Sequence, residues 1–361
     1  MSAERPAPER PAEGHAAAPS ARRIRLGLLA VVGIGVTAAA GVTIVTGGPR
    51  LLAAVGGLPL GVLAAVFALD FASWGAEGLV FAALAGARGL RGWVRMVVVY
   101  VGGGFPGLVT PFGSGAIPGW VYALTREGLS PGEATAVLGA RGLITSAFFV
   151  TAAGVAAAFA PAAFGGSSAS IATGVVGLLA VFAVAVAVAV RPRVAARLLG
   201  RLLGSGLVRR IVGPERAERA TSAVSREAER FATSLSALAR HQSGALVLAL
   251  LGVLLSRAFL LAILPVLLYG LGYRGAVLPL VLTIVAVWAV ASGSPTPGGT
   301  GAVEVALAAV LSTFAPAAIA GAAALLWRGI TFYFDLVVGW AMFARIATRT
   351  AGPPPQPRSA G

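Results

Sequence analysis

Three arginines, Arg141, Arg257 and Arg328, lie inside apolar stretches long enough to cross a bilayer, and so do the carboxylates Asp70, Glu77 and Asp335. An unpaired arginine in hydrocarbon costs a few kcal/mol or more, so such a side chain faces the protein interior and finds an anion. Two chemistries follow. One is internal pairing: Asp335 follows Arg328 by seven residues on the same helical face, and Asp70 and Glu77, also seven apart, could satisfy Arg141 or Arg257. The other is binding of a lipid phosphate. The two are compatible, because a site can hold its charges paired until a lipid displaces one.

A second feature is a repeated turn. Thr110-Pro111-Phe112-Gly113-Ser114-Gly115 recurs 186 residues later as Thr296-Pro297-Gly298-Gly299-Thr300-Gly301. Arg88-Gly89 matches Arg274-Gly275 at the same offset, and Pro131 with Pro316, then Arg141-Gly142 with Arg328-Gly329, follow with single-residue slips. The Thr-Pro and Arg-Gly pairs carry the case for an old duplication, with copies over about 70–150 and 256–336. Proline removes a backbone donor and glycine allows conformations a helix cannot use. Unwound backbone at membrane depth survives only packed in protein or lining a wet cavity. The helix that restarts after each turn aims its positive end there, which suits a phosphate. The plainer alternative is that these glycines only let helices pack tightly.

Glu304, three residues past Gly301, falls in the first turn of the restarting helix. It reads as a helix cap, or as a contact for a cationic headgroup or a proton carrier. Glu133, just after Pro131, reads as a cap. Gly102-Gly103-Gly104 resembles a phosphate loop only superficially, since it lies in an apolar hairpin. The chain has no cysteine and no lysine, and its histidines, His15 and His241, lie in a tail and a basic loop. Thiol chemistry, a Walker P-loop and a Schiff base are thereby excluded, and no Ser/His/Asp set exists. We expect no enzyme activity, no metal and no cofactor.

The elements that must position these residues are membrane helices. Mean hydropathy is +0.88, 57% of residues are hydrophobic and only 11% charged, against roughly 25% in soluble domains. Runs near 25–46, 59–85, 134–158, 169–190, 244–270 and 317–344 reach the roughly 20 residues a crossing needs. Of 28 arginines, 23 fall on one side under the positive-inside rule, which places both termini in the cytoplasm. The net charge of +15 is therefore topology rather than nucleic-acid binding. Arg95 and Arg126 then share a side, and the proline-broken stretch between them is shorter than the roughly 40 residues of two crossings. It should dip in and return, while 276–315 should dip from the opposite face. The expectation is an all-α polytopic membrane protein of about six full spans plus two re-entrant hairpins, arranged as an inverted repeat. Residues 1–24 and 348–361 would be cytoplasmic tails around a domain at 25–347, and the basic loop 191–240 would lie on anionic headgroups or recruit a partner. The all-arginine, Ala/Gly/Val-rich composition fits a bacterial source with a GC-rich genome.

Phe105 to Gly119, then Arg126 to Glu133 and Arg141, resemble the flippase-like family of the lysylphosphatidylglycerol synthase transmembrane region. Ser294 to Glu304, followed by Trp327-Arg328 and Thr331-Phe332, resembles that family's Pro-x-Pro-Gly-Gly-x-Gly-x-x-Glu turn. The resemblance implies an inner-membrane protein of the flippase-like class. In the full synthases this region moves an aminoacylated phospholipid between leaflets while a soluble domain attaches the amino acid. With only about 15 residues expected after the last span, this chain should be a stand-alone member without that synthase domain. The expected activity is translocation of a lipid or lipid-linked headgroup in the cell membrane. Its partners would be membrane lipids, anionic phospholipid above all, with no nucleic acid. Arg141 and Arg328 would hold the phosphate, supported by Arg257, with Glu304, Asp335, Asp70 and Glu77 balancing charge or carrying protons. The alternative is a non-transporting scaffold, as a homo-oligomer or with a lipid-modifying or glycosyl-transferring enzyme.

Overall fold

The computed structural model describes residues 56–159, 243–278, 280–282, 284–285, 296–300 and 302–348. The expected spans near 25–46 and 169–190, the 191–240 loop, both tails and Gly301 lie outside the described residues. The described residues are helical throughout, with no strand among them. Helix α1 (Leu60–Ala85) is followed by α2 (Gly89–Leu108), a tight turn at Pro111–Gly113, α3 (Ala116–Arg126) and α4 (Pro131–Phe159). After the gap come α5 (Ser243–Gly270), a second tight turn at Pro297–Gly299, α6 (Ala302–Leu311) and α7 (Ala317–Arg328). A π-helical segment, Gly329–Phe334, then leads into α8 (Asp335–Thr348). At the offset of the sequence match, α5 corresponds to α1, turn to turn, α6 to α3, and α7 with α8 to α4, while the residues matching α2 are described only in part.

Four helices are long and apolar enough to cross a membrane: Leu60–Ala85, Pro131–Ala152, Ser243–Gly270 and Ala317–Thr348. They coincide with four of the six expected runs. Their outer faces are apolar too. On α5, Val247, Leu248, Leu250, Leu251, Leu254 and Leu255 are exposed, a surface that only lipid or another apolar partner can cover.

Two helix termini have a clear local cause. Gly86 closes α1 in the left-handed region (φ 71°), donating its N–H to Ala82 O, and Ala87 N–H joins it there. At the start of α4, Ser130 and Glu133 form a capping box. Glu133 Oε2 accepts from Ser130 N at 2.8 Å and from Ser130 Oγ at 2.9 Å, and Ser130 Oγ accepts from Glu133 N. Glu133 is therefore the cap that its position implied.

Helices α1 and α5, the matching first helices of the two copies, pack along each other. Gly252 lets the backbones close up: a Cβ there would meet Val80 Cγ2 at 2.7 Å and Ala76 O at 3.0 Å. Two apolar cores flank this pair. One gathers Val66, Ile263, Leu267, Leu307 and Trp327; the other gathers Val80, Phe81, Met96, Leu124 and Val137. The polar groups of interest sit where the helices of these cores meet.

Candidate functional site

The two repeated turns adopt the same backbone. Phe112 (φ 55°, ψ 17°) and Gly298 (φ 59°, ψ 15°) are both left-handed. Gly113 (φ 63°) and Gly299 (φ 71°) follow them into the same region. In each, the threonine carbonyl accepts from the glycine three residues on, at 3.2 Å for Thr110–Gly113 and 3.0 Å for Thr296–Gly299. The proline carbonyl likewise accepts at 3.1 Å from Ser114 or Thr300. The turns pack against each other. Thr110 Oγ1 adds a clasp in the first copy, donating to Pro106 O at 2.8 Å and accepting from Gly115 N at 2.7 Å.

The glycines around the first turn also serve packing. A Cβ at Gly107 would meet Ala116 Cβ at 2.6 Å, and one at Gly115 would meet Pro106 O at 2.5 Å. The tight-packing alternative is therefore realised in the α2–α3 hairpin. Gly102, Gly103 and Gly104 lie within α2. A Cβ at Gly103 would meet Trp120 Cδ1 at 2.7 Å, and one at Gly102 would meet Phe343 N at 2.9 Å.

Five helices bring together the first charged cluster. Glu77 of α1 is fully buried and receives a bidentate pair from Arg141 of α4: Nε to Oε2 at 2.7 Å and Nη2 to Oε1 at 2.9 Å. Arg257 Nη2 of α5 donates to the same Oε1, and Ser256 Oγ lies 3.5 Å from it. The Arg141 guanidinium also lies over three aromatic rings, 4.8 Å from Trp120, 5.5 Å from Tyr100 and 5.7 Å from Phe81. Desolvated, such cation–π contacts stabilise by about 2 kcal/mol or more. Trp120 is held in place by donating Nε1–H to Tyr100 O at 2.8 Å. Two guanidiniums, from α4 and α5, thus share the one carboxylate of Glu77.

The second cluster joins an arginine directly to its turn. Arg328 donates Nε–H to Glu304 Oε1 at 2.8 Å and Nη2–H to Gly298 O at 2.8 Å, and its guanidinium lies 4.0 Å from the Phe332 ring centre. Tyr333 donates its hydroxyl to Glu304 Oε1 at 3.2 Å. Glu304, in the first turn of α6, is thus the counter-ion of Arg328. Glu304 also keeps the first-turn position that the cap reading gave it.

Two expected pairings are corrected. Arg328 does not turn to Asp335, because the π segment between them inserts extra residue per turn and spoils the seven-residue face match. Asp70 reaches neither Arg141 nor Arg257; it faces Asp335 instead, while Glu77 takes both arginines. Nothing in the sequence directly marks the aromatic residues Phe81, Tyr100, Trp120 and Tyr333 as part of the site, and Phe332 stands out only within the family motif. For Trp120 there is an indirect trace: the Gly102–Gly104 run makes the room that its ring occupies.

A family model described as the lysylphosphatidylglycerol synthase TM region matches residues 26–339, most of the chain, and the chain belongs to that family. Comparison with curated proteins returns no match. Together with the four apolar helices, the family makes this a membrane protein, α-helical and without strands among its described residues.

Proposed function

We propose that this member of the lysylphosphatidylglycerol synthase transmembrane family moves a lipid, or a lipid-linked anionic headgroup, between the leaflets of the cell membrane. The observation that carries the reading is the Arg141–Glu77–Arg257 cluster, in which two guanidiniums converge on one carboxylate where five helices meet. A lipid phosphodiester would compete with Glu77 for the guanidinium hydrogen bonds while a headgroup passes. The acyl tails would stay in the bilayer.

The turns support the same reading. Helix α3 has 11 residues and α6 has 10, about 15 Å each at 1.5 Å per residue, half the roughly 30 Å of a hydrocarbon core. Neither is long enough to cross, which supports reading each as the short limb of a re-entrant hairpin. The arginine distribution supports hairpins entering from opposite faces, an inverted repeat with both termini cytoplasmic. Rocking of one copy against the other would then expose the cluster to each side in turn.

The test is reconstitution of the full chain in liposomes containing labelled phosphatidylglycerol. Wild type should redistribute the label between leaflets. Arg141→Ala and Arg257→Ala should slow it about tenfold or more, the loss of one charge-assisted contact, and Arg328→Ala should slow it too. Equal redistribution by wild type and all three variants would remove these arginines from the mechanism.

A further inference from the structure

Thr145 lies one turn beyond Arg141 on α4, on the same face of the helix. Its Oγ1 is buried and has no hydrogen-bond partner. The other threonines of the described helical segments satisfy themselves. On the same helix, Thr135 donates to Pro131 O at 2.7 Å and Thr151 to Ala147 O at 2.9 Å. Thr331 donates to Trp327 O at 2.8 Å, Thr125 to Tyr122 O at 2.8 Å and Thr348 to Arg345 O at 3.2 Å. Such back-bonding is open to any helical threonine. A buried hydroxyl that forgoes it costs stability, and it stays free to serve a ligand.

The repeat shows what this position adjoins. Arg141 matches Arg328, so Thr145 matches Phe332. The Arg328 guanidinium lies 4.0 Å from the centre of the Phe332 ring. In the second copy the position one turn beyond the arginine thus carries a ring against the guanidinium, and in the first it carries a hydroxyl. Other polar groups of the first cluster are engaged with one another. Glu77 accepts from Arg141 and Arg257, Ser256 Oγ lies 3.5 Å from Glu77 Oε1, and Trp120 Nε1–H donates to Tyr100 O. An anion that draws Arg141 away from Glu77 would find in Thr145 Oγ1 a donor that need not break a bond to serve it.

We infer that Thr145 is a ligand-contact residue of the Arg141–Arg257 site, donating its hydroxyl to an oxygen of the bound phosphate. The inference rests on the phosphate-binding part of the proposed function and adds a directional, uncharged donor to the two guanidiniums.

The contact is read by titration calorimetry and thermal melting of the full-length protein in detergent. The probes are short-chain phosphatidylglycerol and inorganic phosphate. Thr145→Val should bind about tenfold more weakly than wild type, the loss of one hydrogen bond to a charged group. It should melt at the same temperature or higher, because a methyl group suits a buried position better than an unpaired hydroxyl. Thr145→Ser should restore the affinity. Weakening seen with phosphatidylglycerol assigns the contact to a lipid phosphate, and weakening with inorganic phosphate alone assigns it to the free anion. Wild-type affinity in Thr145→Val overturns the assignment alone. So does a lower melting temperature, which would mean that the hydroxyl serves the fold. Binding of neither probe by wild type overturns the phosphate site itself and the contact with it.

Discussion

The two copies of the repeat build the same turn and then use their arginines differently. In the second copy Arg328 is bonded to Gly298 of its own turn and to Glu304 on the helix that follows. In the first, Arg141 leaves its turn alone and reaches Glu77 on α1, where it meets Arg257 of the other copy. The offset residue of Glu304 in the first copy is Pro118, which offers no charge. Deprived of a local acid, Arg141 takes a distant one, and the first copy's site becomes shared between both halves. The two halves share a turn backbone and differ in how the arginine is held: Arg328 by an acid beside its own turn, Arg141 by an acid that Arg257 also reaches.

The sharpest test of that difference removes the two acids in turn. Glu77→Gln leaves two guanidiniums without their carboxylate at a buried position, which costs about 3–5 kcal/mol. Glu304→Gln leaves Arg328 with the Gly298 carbonyl and the Phe332 face, and should cost only about 1–3 kcal/mol. Thermal unfolding of the purified protein in detergent compares them. Equal losses would mean that the two clusters are energetically alike and that the asymmetry is only geometric.

A middle-sized effect compares the turns. Gly298 is left-handed, and a Cβ there would run into the Phe332 ring that Arg328 lies against. Gly298→Ala should therefore cost about 2–4 kcal/mol from overpacking and left-handed strain together. Its counterpart Phe112 has nearly the same φ and ψ but is 62% exposed. Phe112→Gly relieves a strained backbone and should be neutral or stabilising by up to about 1 kcal/mol. A Gly298→Ala protein as stable as wild type would break the link between turn and arginine in the second copy.

How much of this was legible in the sequence depends on the range of the interaction. The runs 59–85, 134–158, 244–270 and 317–344 stood out because twenty apolar residues in a row leave few readings open, and the four helices fall on them. The paired turns were legible because proline and glycine act on their own backbone. Glu77 was recognisable as a partner for Arg141 or Arg257, yet that one carboxylate serves both depends on how α1, α4 and α5 meet. The pairing of Arg328 with Asp335 expected from a regular 3.6-residue period fails because Gly329–Phe334 is π-helical. The aromatic box around Arg141 draws on α1, α2 and α3, and no spacing along the chain encodes it.

The smallest effect concerns the helix that carries each arginine. Helix α4 begins at a capping box in which Ser130 and Glu133 satisfy each other's backbone N–H groups. Helix α7 begins after Pro316 with no side-chain cap at all. Ser130→Ala should thus cost about 1 kcal/mol, whereas a substitution such as Ala317→Ser in the second copy changes little. The difference has a reason in the clusters. Arg328 is fixed by partners on its own copy, so the start of its helix carries little of the burden. Arg141 must meet Glu77 and Arg257 across the molecule, and the direction of α4 decides whether it does. If so, Ser130→Ala should weaken lipid movement by more than Ala317→Ser in the liposome assay, despite lying in a loop beyond both clusters. Equal activity of the two variants would show that the α4 cap only stabilises the helix and does not aim the arginine.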